Sequence, residues 1–346
     1  MKNRNLTLDL DNGIFTNAQL SYPAIGKGPN PAVLLVPGGG PADMNYTAGE
    51  NAKLFWQIGQ FLSERGFVVL KYDKRGIGEN NTIINNNLWG KLTYNDPKQD
   101  AKKAVNVLMQ QPEVNSTKIS LIGHSEGGEI VTRLAADNPT TKFDNIILMA
   151  PRIENPRDQI YYGFVGFPVE YAKIVLDKNH NGSFSLQEVL QDQIFQSMVG
   201  GNTSLILSPT ITDNTSTELS KSVSNISKDR YVNILTEFKP VLEKRMEKSF
   251  EGTKYENPMA GPCPIYLGSI VNLSSTLSIL DNVSSSTDIL ILHGQNDPGS
   301  RVQLAFLLEQ KLSELNHPDP HSDNLSRPRT SFLSFKSMDN RKWTHT

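Results

Sequence analysis

One cysteine, Cys263, in a chain of 346 residues excludes an internal disulfide and any cysteine-based metal cluster. A small buried apolar role is what remains for it. No apolar run approaches the roughly 20 residues that a membrane helix needs. The opening Met1-Lys2-Asn3-Arg4-Asn5-Leu6 carries charge without an apolar stretch behind it, so no signal peptide is visible in this chain. Charge of one sign is also scarce. The net charge is −2 with 20% charged residues, which leaves no electrostatic case for nucleic acid. Repeats and low-complexity segments are missing as well. The partner class left standing is a small molecule, and oligomeric state is not legible.

What is present is a strand–helix alternation. Leu6 to Leu10, the turn Asp11-Asn12-Gly13 and Ile14 to Tyr22 read as an antiparallel hairpin. Ala32–Val36 is a continuous apolar run, as expected of a strand buried on both faces. A helix is expected over Ala48–Glu64, ending at Gly66, followed by a strand over Phe67–Lys71. Pro97–Met109 places Ala101, Ala104, Val105 and Leu108 on one helical face. Further strands are expected at Lys118–Ile122, Asn145–Met149, Asp288–Leu292 and Ser331–Phe335, and helices at Glu126–Ala136 and Arg301–Leu315. This order predicts an α/β fold with a mostly parallel sheet flanked by helices.

Between Arg152 and about Pro262 the rhythm lapses. An inserted, mainly helical cap is expected there, which divides the chain into a core first part (1–152), a cap (153–262) and a core second part (263–346).

The run Gly123-His124-Ser125-Glu126-Gly127 joins an apolar strand to a helix-compatible segment. A Gly-x-Ser-x-Gly turn in that context is a nucleophile elbow, in which the tight turn pushes the Ser125 hydroxyl out above the strand. Attack by Ser125 on a carbonyl creates an oxyanion that needs preorganised donors. The Glu126 N–H at a helix start and the Gly39 N–H in the side-chain-free Gly38–Gly40 loop are the candidates. The Glu126 side chain has no assigned role and is expected to be a surface carboxylate.

Four signatures in order resemble an α/β-hydrolase of the esterase and serine-aminopeptidase-like branch. They are Val36-Pro37-Gly38-Gly39-Gly40-Pro41-Ala42-Asp43, Tyr72-Asp73-Lys74-Arg75-Gly76-Ile77-Gly78, the elbow, and Leu292-His293-Gly294-Gln295-Asn296-Asp297. The resemblance implies a serine hydrolase cleaving carboxylic esters, with Asp297 orienting a catalytic histidine and no organic cofactor. A thioesterase or peptidase of the same fold is an alternative, and so is a non-catalytic calcium-binding homologue. His293 belongs to the motif but sits too close to the strand end, so a structural role is expected. The histidine the resemblance implies after the last strand is replaced by Asn340, which cannot take a proton near neutral pH. His317 and His321 end a helix that runs away from the sheet edge. His345 is left as the candidate base, and the helix that would close the fold is missing from this chain.

A second constellation lies in the insertion. Asp177-Lys178-Asn179-His180-Asn181-Gly182-Ser183-Phe184-Ser185-Leu186-Gln187-Glu188 fits the twelve-residue loop of an EF-hand. Asp177, Asn179 and Asn181 would supply side-chain oxygens, Ser183 its carbonyl, Ser185 a bridging water, and Glu188 a bidentate carboxylate. Helical stretches are expected at Val169–Leu176 and Leu186–Met198, with no partner hand. The implied cofactor is a structural Ca2+ of modest affinity. Asn-x-Ser/Thr acceptors recur from Asn5 to Asn324, which points to an extracytoplasmic protein, with the cytoplasm as the alternative. Calcium at Asn181 requires that this acceptor be unmodified.

Overall fold

The computed structural model describes residues 1–26, 28–48, 52–137, 142–198, 230–250, 264–295, 297, 300–317 and 331–335. Strands β1 (Lys2–Asp9) and β2 (Phe15–Tyr22) pair antiparallel, as the Asp11-Asn12-Gly13 turn dictates. Gly13 takes φ +74 at that turn. Strand β3 (Asn30–Val36) buries its last five residues.

The helix expected from Ala48 begins six residues later. Instead β4 (Thr47–Ala48) and β5 (Ala52–Lys53) pair as a small antiparallel ribbon, and helix α1 covers Leu54–Glu64. Gly66 with φ +96 follows its end. Strand β6 (Val68–Tyr72) is buried at every position, Lys71 included. A single turn α2 (Asn86–Trp89) precedes helix α3 (Asn95–Met109), which buries Ala101, Ala104, Val105 and Leu108 as its periodicity requires. Strand β7 (Val114–His124) runs into helix α4 (Glu126–Asp137), and β8 (Asn145–Met149) follows.

In the second half, β9 (Ser183–Ser185) pairs antiparallel with β10 (Tyr231–Asn233). Strand β11 (Asp288–Gly294) pairs parallel with β12 (Ser331–Phe335). Between them in sequence lies the helix Val302–Glu314.

The central sheet has eight strands in the order β1-β2-β6-β3-β7-β8-β11-β12, and only β2 runs against the others. The mostly parallel sheet expected from the alternation is therefore present. Its parallel strands end together on one edge, and the βα turns that follow β3, β7, β8 and β11 gather there.

The chain divides into two compact units. One comprises Met1–Pro156 with Gly261–Thr346, and the other Arg157–Ala260. The second has its own core of Val169, Leu176, Phe184, Phe195, Val232 and Phe238. The helix expected over Leu186–Met198 is broken at Asp192. Asp192 Oδ1 accepts the Phe195 N–H at 2.8 Å and so caps the second piece.

Candidate active site

The turn between β7 and α4 places Ser125 at φ 52, a left-handed conformation that costs a non-glycine residue about 1–2 kcal/mol. Its backbone is nevertheless satisfied. The Ser125 N–H donates to the Met149 carbonyl at 2.9 Å, and its carbonyl accepts from Gly128 at 3.0 Å and Arg152 at 3.1 Å. The flanking glycines are required by close approach. A Cβ on Gly123 would lie 2.2 Å from the Gly127 oxygen, and one on Gly127 would lie 2.2 Å from the Val36 oxygen. Strand β3, the elbow and α4 thus meet with no room for side chains.

The Gly38–Gly40 loop follows β3 and lies against the elbow. A Cβ on Gly38 would stand 3.1 Å from Ser125 Cβ, and one on Gly39 would stand 3.6 Å from Glu126 Oε2. Lys74 holds this loop from below. Its buried Nζ donates to the Gly38 carbonyl at 2.7 Å and the Gly40 carbonyl at 3.2 Å. In a trans peptide the C=O and the next N–H point in opposite directions. A grip on the Gly38 carbonyl therefore fixes the direction of the Gly39 N–H.

Glu126 is not the surface carboxylate the sequence suggests. It is 4% exposed, with Oε1 3.6 Å from Lys74 Nζ and Oε2 3.5 Å from an Arg152 guanidinium nitrogen. Burial pushes its carboxyl up, but Lys74 and Arg152 together hold it below the usual carboxylate range. Glu129 extends the cluster to Arg133 at 2.9 Å and to Arg152. The default surface reading fails because α4 is buried along nearly its whole length, so a carboxylate in its first turn must find cations.

His124 sits at the end of β7 in a second chain of contacts. The Gly38 N–H donates to the Tyr46 hydroxyl at 3.2 Å, and that hydroxyl lies 2.7 Å from His124 Nδ1. Tyr46 thus links the glycine loop to the imidazole at the end of β7. Burial lowers its pKa, and the negative charge of Asp297 pulls the other way.

Asp297 follows β11, two strands along the sheet from β7. Its N–H donates to the Gly294 carbonyl at 3.3 Å, and its Oδ1 accepts the Ser300 N–H at 3.0 Å. Strands β7, β8 and β11 are parallel, so Asp297 after β11 lies on the same sheet edge as Ser125 after β7. His293 is buried with Nε2 2.9 Å from the Ser300 carbonyl. His317 is buried too, and the backbone groups of Val283 and Thr287 face it. Those residues precede β11, so His317 lies at the opposite end of that strand from Asp297. His345, Asn340, His321 and Cys263 lie outside the described residues. Among the described residues, no histidine nitrogen is hydrogen-bonded to the Ser125 hydroxyl.

The loop residues Asp177, Asn179, Asn181, Ser183, Ser185 and Glu188 all fall in the second unit. Among the described residues no three His, Cys, Asp or Glu side chains converge on a metal-sized point. The 177–188 loop relies on amide and carbonyl oxygens for half of its donors.

The geometry agrees with comparisons to known proteins. The crystal structure of an α/β-hydrolase, GrgF, from Penicillium sp. sh18 superposes with a TM-score of 0.51 at 13% identity, covering 99% of this chain and 92% of its own. A proline iminopeptidase from Mycobacterium smegmatis superposes with 0.51 at 14% identity, over 96% of this chain and 90% of that one. This chain has the α/β-hydrolase fold.

A family model described as "Serine aminopeptidase, S33" matches residues 47–191, which include the elbow but neither the Gly38–Gly40 loop nor Asp297. Esterase EstD of Thermotoga maritima is 35% identical over 127 residues. That match takes in 36% of this chain and 28% of EstD, so the likeness concerns a minor part of each. No helix among the described residues is long and apolar enough to cross a membrane.

Sequence reasoning missed three contributors to this candidate site: Lys74, Tyr46 and His124. Lys74 stood inside a quoted motif and His124 inside the elbow. Only their burial and their partners single them out, and neither can be read from spacing.

Proposed function

We propose that this chain is a serine hydrolase that cleaves carboxylic esters through an acyl-enzyme on Ser125. The observation that carries the reading is the strained Ser125 turn, pressed against a glycine loop whose carbonyls are held by Lys74. A serine held at φ 52, where glycine would be unstrained, at the mouth of a strand–helix turn points to a use for its hydroxyl. The limited likeness to EstD, an esterase by name, favours esters among acyl substrates.

Ser125 Oγ attacks the ester carbonyl and loses its proton to a histidine, for which His345 is the candidate. The tetrahedral oxyanion accepts hydrogen bonds from the Gly39 and Glu126 N–H groups. Collapse expels the alcohol, which takes the proton back from the imidazolium. Water then attacks the acyl-enzyme with the same histidine as base, releasing the acid and restoring Ser125. Asp297 orients the imidazole and stabilises its cation. Lys74 and Arg152 neutralise the Glu126 side chain, so its carboxylate does not repel the nascent oxyanion only one residue from Ser125.

The test is hydrolysis of short p-nitrophenyl esters by wild type, Ser125→Ala and His345→Ala, alongside labelling with a fluorophosphonate. Loss of hydrolysis in both variants, with labelling abolished in Ser125→Ala, is the expected result. Activity that survives Ser125→Ala would overturn the reading. Activity that survives only His345→Ala would keep the nucleophile and reject that base.

A further inference from the structure

The second unit holds a helix–loop–strand–helix segment that the hydrolase reading does not use. Helical residues Phe167–Leu176 run into Asp177, and β9 leads directly into the helix Leu186–Gln191. Between them lies the loop whose twelve positions match an EF-hand. Asp177 Oδ1 accepts the Asn181 N–H at 2.9 Å and Oδ2 the Gly182 N–H at 2.8 Å, which folds the loop back over its first residue. Gly182 makes the required sharp turn at φ +79. Ser185 and Glu188 form a reciprocal cap, with Glu188 Oε2 accepting the Ser185 N–H at 2.8 Å.

Two observations outside the loop's own bonding point to a cation. The first is charge. Asp177 is only 5% exposed, yet among the described residues no Lys, Arg or His side chain forms an ion pair with it or with Glu188. A carboxylate removed from water without a counter-charge is costly, and a bound cation removes that cost. Of the other buried carboxylates, Glu126, Glu129 and Asp100 form ion pairs, and Asp43 and Asp73 share the positive charge of Lys71 nearby.

The second observation is the partner strand that the sequence did not reveal. β10 pairs with β9 in the register Phe184↔Val232, and both residues are buried in the core of the unit. β10 leads at once into the helical stretch Ile234–Phe250, as β9 leads into Leu186–Gln191. Asn233 caps its helix by accepting from Leu235 at 3.1 Å and Thr236 at 2.9 Å, in the place of Ser185. The two strand–helix units are thus related across a short ribbon, which is the way EF-hand loops are held when they occur in pairs. The Phe184 ring meets Phe238 edge-on at 5.3 Å and locks one unit to the other. The same offset that equates Phe184 with Val232 equates Glu188 with Thr236. Thr236 carries no carboxylate, and Glu237 one position on, which accepts the Asn233 N–H at 2.8 Å, already faces Arg230 at 3.6 Å.

We propose that the 177–188 loop of the Arg157–Ala260 unit binds one Ca2+, with the β10 strand and the helical stretch after it serving as a metal-free brace. Asp177, Asn179 and Asn181 side-chain oxygens, the Ser183 carbonyl, a water on Ser185 and both Glu188 oxygens are its ligands. Two carboxylates among them place the affinity in the weak class, on the order of 10⁻⁴ M. The ion holds the entering and leaving helices together and is independent of the chemistry at Ser125.

The experiment is calorimetric titration of the chelator-treated full chain with CaCl2, together with Tb3+ luminescence and thermal melting. Wild type is expected to bind one Ca2+, to prefer it over Mg2+, and to melt several degrees higher when loaded. Glu188→Gln should weaken binding at least tenfold while leaving the calcium-free melting temperature close to wild type. Thr236→Ala should leave both stoichiometry and affinity unchanged. Absence of binding at millimolar Ca2+ in the folded chain, two ions per chain, or affinity untouched by Glu188→Gln would each overturn the proposal.

Discussion

Lys74 joins the glycine loop to the start of α4, the two segments that carry the proposed oxyanion donors. It ties the Gly38 and Gly40 carbonyls, and it faces Glu126 at the start of α4. Lys74→Met is expected to lower kcat for ester hydrolysis about tenfold with KM within about twofold, because the loop loses aim rather than substrate contact. Affinity for a boronic acid mimic of the tetrahedral state should fall in parallel, and Lys74→Arg should recover part of both. An equal loss in KM would reject the positioning role.

Ser125 carries the opposite signature, backbone strain at the proposed nucleophile. Ser125→Gly should raise stability by about 1 kcal/mol in urea unfolding, since glycine adopts φ 52 freely, while hydrolysis disappears.

His124 and the buried His317 both contribute to the pH dependence, and His124 is the one at the site. Its folded pKa is lowered by burial, so below about pH 6.5 the unfolded chain binds the proton more readily. The stability it contributes is complete above the unfolded value and is lost as pH falls through the folded one. The urea midpoint should therefore drop as pH falls below about 6.5, and His124→Gln should flatten part of that slope. An identical slope in the variant would remove His124 from the account.

At the scale of elements, the decisive contact is the close approach of β3, the elbow and α4. Gly127→Ala would place a methyl carbon 2.2 Å from the Val36 carbonyl, and neither is the end of a flexible side chain. A loss of about 3 kcal/mol in denaturant unfolding is expected, or failure to accumulate as folded protein. Gly39→Ala, where the nearest atom would be 3.6 Å away, should fold normally. The elbow was legible because a strand, Gly-x-Ser-x-Gly and a helix follow one another within twenty residues. The start of α1 was not. Thr47–Ala48 and Ala52–Lys53 pair locally, and that pairing displaces the first six residues of a helix whose periodicity alone looked continuous. Asp192 broke the other expected helix by capping, a competition that hydrophobic spacing does not record.

At the scale of the molecule, the two compact units have separate cores. Scanning calorimetry should accordingly resolve two transitions, and saturating calcium should move only one of them upward. A single transition shifted as a whole by calcium would show that the units melt together.

By itself the sequence determined the strand–helix order, the mostly parallel sheet, the Ser125 turn and the twelve-residue loop. Each is written in residues a few positions apart, where steric limits and periodicity act directly. The tertiary structure alone decided the burial of Glu126, the Lys74 grip across 36 residues, the Tyr46–His124 contact across 78, and the pairing of β9 with β10. These join groups far apart in the chain. Their partners are chosen by what the packed sheet and its helices leave within reach, and by the need of buried charges and hydroxyls to find one another.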